Sequence, residues 1–236
     1  MDQDNRHIQA VVFDLDDTLY PERHYVRSGY RCVEGYLRKR MGQDGPFAAW
    51  LWARFLAGRS AGALDDLNSH FRLALSAEQI AQLVTEYRQH SPCIHCYGGI
   101  AGLLGRLHSE YRLGLLSDGF LPAQRLKLDA LKLTRFFDAA VLTEELGRDA
   151  WKPAPDGFER IREMLDVPHG CCAYVADNVA KDFVAPNRLG WRTIQLLHPG
   201  QIHSAEPAAG GKPQHVVGKW DQLRDAVREP IGTPER

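Results

Sequence analysis

The sequence has no long hydrophobic run: nowhere in its 236 residues does it approach the roughly 20 consecutive apolar residues of a membrane-spanning helix. It also has no excess of charge of one sign, since 29 Lys and Arg balance 30 Asp and Glu. A chain of this charge does not attract polyanions in general. The first seven residues are polar and lack a signal-peptide core. We therefore expect a cytoplasmic protein with no membrane and no nucleic acid as partner.

Cysteine is also scarce. The chain has five cysteines, an odd number that cannot all pair within one molecule, and a chain of this size does not need a disulfide framework. Cys93 and Cys96 have the spacing of a zinc-binding pair, but no second CxxC or His pair offers the remaining ligands. We interpret these two as incidental thiols near a loop rather than as a zinc site.

One stretch near the N-terminus organises the chain. Residues 8–13 are apolar apart from Gln9 and predict a strand buried on both faces, as in a parallel sheet. Asp14, Asp16 and Asp17 follow at once, at the edge where open α/β sheets bind ligands. Like charges so close repel each other, so a cation is needed, and Mg²⁺ prefers such oxygen ligands. The stretch could also be a helix N-cap region, but the sharper interpretation is that Asp14 is a nucleophile and Asp16 a general acid and base.

The rest of the chain predicts two kinds of structure. Apolar residues recur at helical spacing from about residue 24 to residue 90, and Ser76 with Gln79 predicts a capping box. Strands and helices then alternate, which is typical of a parallel sheet with right-handed crossovers. We predict an α/β fold with a Rossmann-like, doubly wound parallel sheet core and an inserted all-α cap subdomain. The core domain comprises residues 1–20 plus 97–236, and the cap comprises residues 21–96, in which Trp50 and Trp52 are core residues rather than substrate-stacking groups.

Further polar residues follow the carboxyl ends of later strands, so they should gather at the same sheet edge as Asp14. Each has an ordinary alternative: Ser117 could be a helix cap, Lys152 a loop lysine, and Asp177 with Asp182 turn residues. Their common position at successive strand ends favours a site. The predicted site consists of catalytic Asp14, Asp16 and Lys152, of substrate-binding Ser117, Asp118, Thr18 and Arg23, and of Asp14, Asp16, Asp177 and Asp182 as ligands of Mg²⁺.

These segments, in this order, resemble the haloacid dehalogenase (HAD) superfamily of phosphohydrolases. Residues 14–18 match the DxDxT first motif, and residues 116–118 resemble the second, in which a Ser or Thr ends a strand. Lys152 with Pro153 resembles the third motif, and residues 177–182 resemble the fourth. The chain has Ala176 where Gly is usual and Asp118 where Asn is common. The helical insertion looks like the family's type 1 cap.

The resemblance implies a Mg²⁺-dependent phosphatase that hydrolyses a small, phosphosugar-like phosphorylated metabolite through an aspartyl-phosphate. An acid at position 16 argues for phosphoryl transfer rather than dehalogenation. The alternatives are a nucleotide or flavin 5'-phosphatase, a phosphomutase, and an inactive relative that binds a phosphorylated ligand. A two-component receiver domain has similar residues, but it is about half as long and has no helical insertion. Arg23 is a candidate contact of the leaving group, the alternative being a solvated helix face; the substrate and the oligomeric state stay open.

Overall fold

The computed structural model describes residues 7–202 and 206–229 of the chain. The chain divides into two compact units. The first, here the core unit, comprises Met1–Glu22, His95–Gly119 and Leu131–Arg236, and the second, the helical unit, comprises Arg23–Ile94 and Phe120–Ala130. In the part of the chain that the structure describes, we find no helix with the length and apolar character needed to cross a membrane.

The core unit contains a six-stranded sheet in which all neighbouring strands are parallel. Its strands are β1 (Ala10–Phe13), β2 (Arg112–Ser117), β3 (Ala139–Leu142), β4 (Cys172–Ala176), β5 (Arg192–Leu196) and β6 (His215–Val217). They lie in the order β3-β2-β1-β4-β5-β6. The strand order reverses direction at β1, so the crevice for ligands is expected at the carboxyl ends of β1 and β4. The predicted doubly wound α/β fold is confirmed.

The strand register brings distant residues to one edge of the sheet. Phe13, the last residue of β1, pairs with Leu115 on one side and with Val175 on the other. Ser117 and Asp177 each lie two residues beyond these partners, so both reach the edge where Asp14 follows β1. Every residue of β1 and β4 is buried, which explains why both strands read as continuous apolar runs.

Nine α-helices occur in the described residues. They are α1 (Glu22–Met41), α2 (Phe47–Leu56), α3 (Ala63–Phe71), α4 (Ala77–Gln89), α5 (Ile100–His108), α6 (Ala123–Leu131), α7 (Asp156–Leu165), α8 (Val184–Arg188) and α9 (Trp220–Arg228). In the core unit, α7 buries Phe158, Ile161 and Leu165, whose spacing of three and four residues places them on one helix face. These three side chains share a hydrophobic cluster with Leu116 and Val141 of the sheet.

The helical unit has its own hydrophobic core. Leu37, Leu51, Leu67 and Leu83, one from each of α1 to α4, are fully buried. The predicted capping box is present: Ser76 Oγ accepts a hydrogen bond from the Gln79 amide at 3.2 Å, and Gln79 Oε1 accepts one from the Ser76 amide at 2.8 Å. This reciprocal pair satisfies two amides at the start of α4. Both Trp50 and Trp52 pack, partly buried, against the same core.

Residues 120–130 belong to the helical unit although they follow strand β2 in the chain. Because they follow β2, the sequence analysis assigned them to the core domain. Two cation–π contacts join them to other parts of the helical unit. Lys127 Nζ lies 4.2 Å from the ring centre of Tyr25, and the Arg88 guanidinium lies 3.5 Å from that of Phe120. Such long-range contacts leave no local pattern in the sequence.

Candidate active site

The loop after β1 carries the first two predicted catalytic residues. The backbone of Asp14 extends the sheet by one bond, since its amide donates to the Val175 carbonyl at 2.9 Å. Asp14 is buried and Asp16 half-buried, and both line a cavity of about 130 Å³ in the core unit. Tyr20 donates its hydroxyl hydrogen to Asp16 Oδ1. The cavity is lined by Asp14, Asp16, Glu22, Asp118, Trp151, Asp177, Asn178, Lys181 and Asp182.

Asp17 holds this loop in shape. Its backbone has a φ of +52°, in the left-handed region that Asp adopts more readily than most residues. One carboxylate oxygen accepts from the Glu22 amide at 2.8 Å and the other from the Ile202 amide at 2.7 Å. Gln201 Nε2 also donates to the Asp17 carbonyl at 2.8 Å. Asp17 therefore ties the loop of Asp14 and Asp16 to the segment after β5, a contact that its place in an acidic run did not reveal.

Lys152 lies at the centre of the site. Its Nζ atom is 2.6 Å from Asp14 Oδ1, 2.8 Å from Asp182 Oδ1 and 3.0 Å from the Tyr174 hydroxyl oxygen. The contacts with Asp14 and Tyr174 are hydrogen bonds, and the contact with Asp182 is an ion pair. Burial disfavours the charged form, but the carboxylates of Asp14 and Asp182 outweigh burial and hold the pKa of Lys152 well above its usual value. Sequence reasoning missed Tyr174, because in the buried strand β4 it looks like one more core residue.

Asp14, Asp177 and Asp182 each offer a carboxylate oxygen, and these three atoms lie within 4.8 Å of one another. Burial raises the pKa of Asp14 to about 7, helped by Asp182 and Asp16, against the opposing charges of Lys152 and Lys181. Burial also raises the pKa of Asp177 to about 10, together with the charges of Asp182 and Asp14. Ionisation of all three carboxylates is therefore unfavourable here unless further positive charge is present.

The residues of this cluster fit a hard divalent cation. The Oδ2 atom of Asp177 is buried and has no hydrogen-bond partner among the described residues, which is costly unless something else satisfies it. Asp182 is less available, since Oδ1 faces Lys152 and Oδ2 accepts from the Asn178 amide at 3.0 Å. Asp14 and Asp177 are thus the carboxylates whose oxygens are most available to a cation, while Asp182 contacts Lys152.

Asp118 connects several loops at the same edge. Its Oδ1 atom accepts from Thr143 Oγ1 at 2.9 Å and from the Lys152 amide at 3.2 Å. Its Oδ2 atom lies 2.8 Å from Lys181 Nζ. Burial raises the pKa of Asp118, but Lys152 and Lys181 outweigh it and hold that pKa below its usual value. The negative charge at this position is therefore balanced by Lys181, a residue that sequence reasoning missed because it looks like a surface lysine.

The other predicted substrate contacts are placed differently. Ser117 is buried at the end of β2, next to Asp118. Thr18 is fully buried, and its hydroxyl has no hydrogen-bond partner among the described residues. It does not line the cavity, so its surroundings are those of a packing residue. Arg23 lies in α1 within the helical unit. The substrate contacts of Ser117, Thr18 and Arg23 stay predictions.

Comparison with known proteins agrees with this geometry. The model of the haloacid dehalogenase-like hydrolase family matches residues 8–190 of the chain. The chain is 27% identical to a glyceraldehyde 3-phosphate phosphatase of Methanopyrus kandleri over 237 aligned residues, 94% of this chain and 98% of the relative. It is 35% identical to the N-acylneuraminate-9-phosphatase of Mus musculus over 104 residues, 44% of this chain and 41% of the relative.

A solved structure shows the same fold. The crystal structure of the HAD hydrolase YfnB from Bacillus subtilis, bound to magnesium, superposes with a TM-score of 0.67 at 17% identity, covering 94% of this chain and 99% of the other. The matched family description extends over most of the chain and includes all four sequence motifs up to Asp182. The chain therefore belongs to the haloacid dehalogenase-like hydrolases.

Proposed function

We propose that this hydrolase is a Mg²⁺-dependent phosphatase that removes the phosphoryl group of a small phosphorylated metabolite through an aspartyl-phosphate on Asp14. The observation that carries the proposal is the buried contact of 2.6 Å between Asp14 Oδ1 and Lys152 Nζ, next to a cavity that Asp14 lines together with further carboxylates. A carboxylate can attack phosphorus if the charge of the phosphoryl group is neutralised, and a buried lysine beside the nucleophile does part of this.

The first half of the reaction transfers the phosphoryl group to Asp14. A carboxylate oxygen of Asp14 attacks phosphorus, and the bond from phosphorus to the substrate oxygen breaks. Asp16, which lines the same cavity, gives its proton to the departing oxygen. Lys152 stays close to the phosphoryl oxygens because Asp182 and Tyr174 hold its ammonium in place.

The second half returns the enzyme to its starting state. Asp16 takes a proton from a water molecule, whose oxygen attacks phosphorus and releases the Asp14 carboxylate and inorganic phosphate. The Tyr20 hydroxyl donates a hydrogen bond to one oxygen of Asp16 and so helps to fix the position of this carboxyl group. Asp17, through its bonds to two backbone amides, keeps the loop of Asp14 and Asp16 in the required shape.

Asp14 and Asp177 would hold Mg²⁺, with Asp16 and Asp182 beside them in the cavity. The ion supplies positive charge that lets an anionic carboxylate approach an anionic phosphoryl group. The magnesium bound by the structurally similar YfnB supports this choice of metal. The names of the two similar phosphatases given above refer to two different phosphorylated compounds. They therefore support a small phosphomonoester as the substrate class and leave its identity open.

Turnover of an aryl phosphate with Mg²⁺ tests the proposal. Asp14→Asn removes the nucleophilic oxygen at nearly constant shape, so we expect activity to fall to background, whereas the exposed Asp129→Asn, a matched control, should behave like the wild type. After acid quench, Asp16→Ala should retain more labelled phosphate than the wild type because its dephosphorylation is slow. Undiminished turnover by Asp14→Asn would refute phosphoryl transfer to this residue.

A further inference from the structure

We propose that Lys181 is a second phosphate-binding cation of this site and that Asp118 is its exchangeable counter-ion. When a phosphoryl group enters, the ammonium of Lys181 turns from Asp118 toward the phosphoryl oxygens. The inference rests on the proposed function and adds a specificity-determining residue to it.

The two lysines of the site differ in their burial and in the number of groups that contact their ammonium. Lys152 is almost fully buried, with a side-chain exposure of 1%, and three acceptors surround its ammonium. Lys181 lines the same cavity with a side-chain exposure of 35%, and Asp118 Oδ2 accepts one of its three N–H groups. The lysine stem is flexible, so its charge can be moved a short distance without moving the backbone.

The carboxylate of Asp118 can release Lys181 and still keep its position. Its other oxygen, Oδ1, stays bonded to Thr143 Oγ1 and to the Lys152 amide. The carboxylate is therefore anchored on one side and paired with Lys181 on the other. This asymmetry suits a counter-ion that holds the lysine between turnovers and does not need to move.

The carboxylates that line the cavity make a second cation such as Lys181 useful for binding an anionic substrate. Asp14, Asp16, Asp177 and Asp182 all face the cavity, and a phosphomonoester brings further negative charge to it. Lys152 is already shared between Asp14 and Asp182. The charge of Lys181 reaches the nucleophile, since it acts to lower the pKa of Asp14. A second cation on this side favours the charged phosphoryl group over a neutral ester.

Binding of inorganic phosphate, the reaction product, tests the proposal without turnover. Calorimetric titration in the presence of Mg²⁺ would compare the wild type with Lys181→Met, which keeps the length of the stem and removes the charge. We expect the phosphate dissociation constant and the KM for an aryl phosphate to rise about tenfold, the effect of one charge-assisted hydrogen bond. Lys212→Met, at an exposed lysine outside the cavity, is the matched control and should change neither.

Asp118→Asn separates this role from a structural one. It keeps Oδ1 as acceptor for Thr143 and Lys152 but frees Lys181, so phosphate should bind several-fold more tightly. A purely structural ion pair would instead weaken binding in both variants. In the double variant the gain should disappear, because it depends on Lys181. Unchanged phosphate affinity in Lys181→Met, or a gain that persists in the double variant, would overturn the proposal; a wild type that binds phosphate and hydrolyses no phosphomonoester would count against the proposed function alone.

Discussion

Binding of Mg²⁺ to this protein should release protons, because the carboxylates that would hold the ion have pKa values far above the usual range of aspartic acid. Without a cation, burial raises the pKa of Asp14 to about 7 and that of Asp177 to about 10. A metal ion binds the ionised carboxylate only, so a proton on either group must leave when the ion arrives. Titration of the cation-free protein with Mg²⁺ at a series of fixed pH values would measure this release.

The number of protons follows from these two pKa values. At pH 8 Asp14 is mostly ionised and Asp177 is protonated, so about one proton should leave per ion. At pH 6 both groups are protonated, and about two should leave. The apparent association constant should thus rise about tenfold per pH unit near pH 8 and more steeply near pH 6.

The stability of the protein gives an independent measure with the opposite sign. Between pH 3.8 and about 7 the cation-free native state keeps a proton on Asp14 that the unfolded chain has lost, so its free energy of unfolding falls as pH rises. Asp177, whose pKa burial raises to about 10, adds a second contribution of the same sign within this window. Mg²⁺ removes this cost, so the gain in Tm at a fixed Mg²⁺ concentration should be larger at pH 8 than at pH 6.

Calorimetry in two buffers of different ionisation enthalpy counts the protons directly, and phosphate buffer must be avoided because it is a product. Asp177→Asn should lose most of the release at pH 8, whereas Asp129→Asn should match the wild type. A Mg²⁺ affinity that is equal at pH 6 and pH 8, with no protons released, would refute the assignment of the ion to Asp14 and Asp177.

Two further predictions concern residues that support the site. Tyr174→Phe removes one acceptor of the buried Lys152 ammonium, so we expect a several-fold lower kcat and a loss of about 1.5 kcal/mol or more in the free energy of unfolding, measured by urea denaturation. Tyr36→Phe in the helical unit is the matched control, and an unaltered kcat in Tyr174→Phe would contradict the positioning role. Asp17→Ala removes two bonds to backbone amides and forces alanine to a φ of +52°, so it should lower the free energy of unfolding by about 3 kcal/mol or more. Asp17→Asn, which tolerates this backbone and keeps one acceptor, should cost clearly less, and an equal cost for both variants would argue against this account of the loop.

The fold could be predicted from the sequence because its elements carry local signals. The runs at β1 and β4 are continuous and apolar, as strands buried on both faces must be. The Ser76 and Gln79 pair marked the start of α4 by chemistry that involves only neighbouring residues. The membership of residues 120–130 in the helical unit had no such signal, because it depends on contacts with α1 and α4 that are distant in the chain.

The candidate site was predictable where a residue type is unusual for its position. Carboxylates directly after a buried strand are such a case, and Asp14 and Asp177 were found in this way. Tyr174 and Lys181 could not be found, because a tyrosine in a buried strand and a lysine in a loop are ordinary. Their significance comes from the atoms opposite them, Lys152 Nζ and Asp118 Oδ2, which only the folded chain brings within 3.0 and 2.8 Å.

The repulsion among the buried carboxylates at this edge of the sheet indicates that they serve binding rather than stability. Burial of Asp14, Asp177 and Asp182 in one cluster costs stability that the fold does not need, since apolar side chains of similar volume would pack at this edge without the repulsion. Lys152 relieves part of that cost by pairing with Asp14 and Asp182, which leaves the unpartnered oxygen of Asp177. An arrangement that added positive charge would stabilise is suited to bind a cation, and with the cation bound it could accept an anionic phosphoryl group as well.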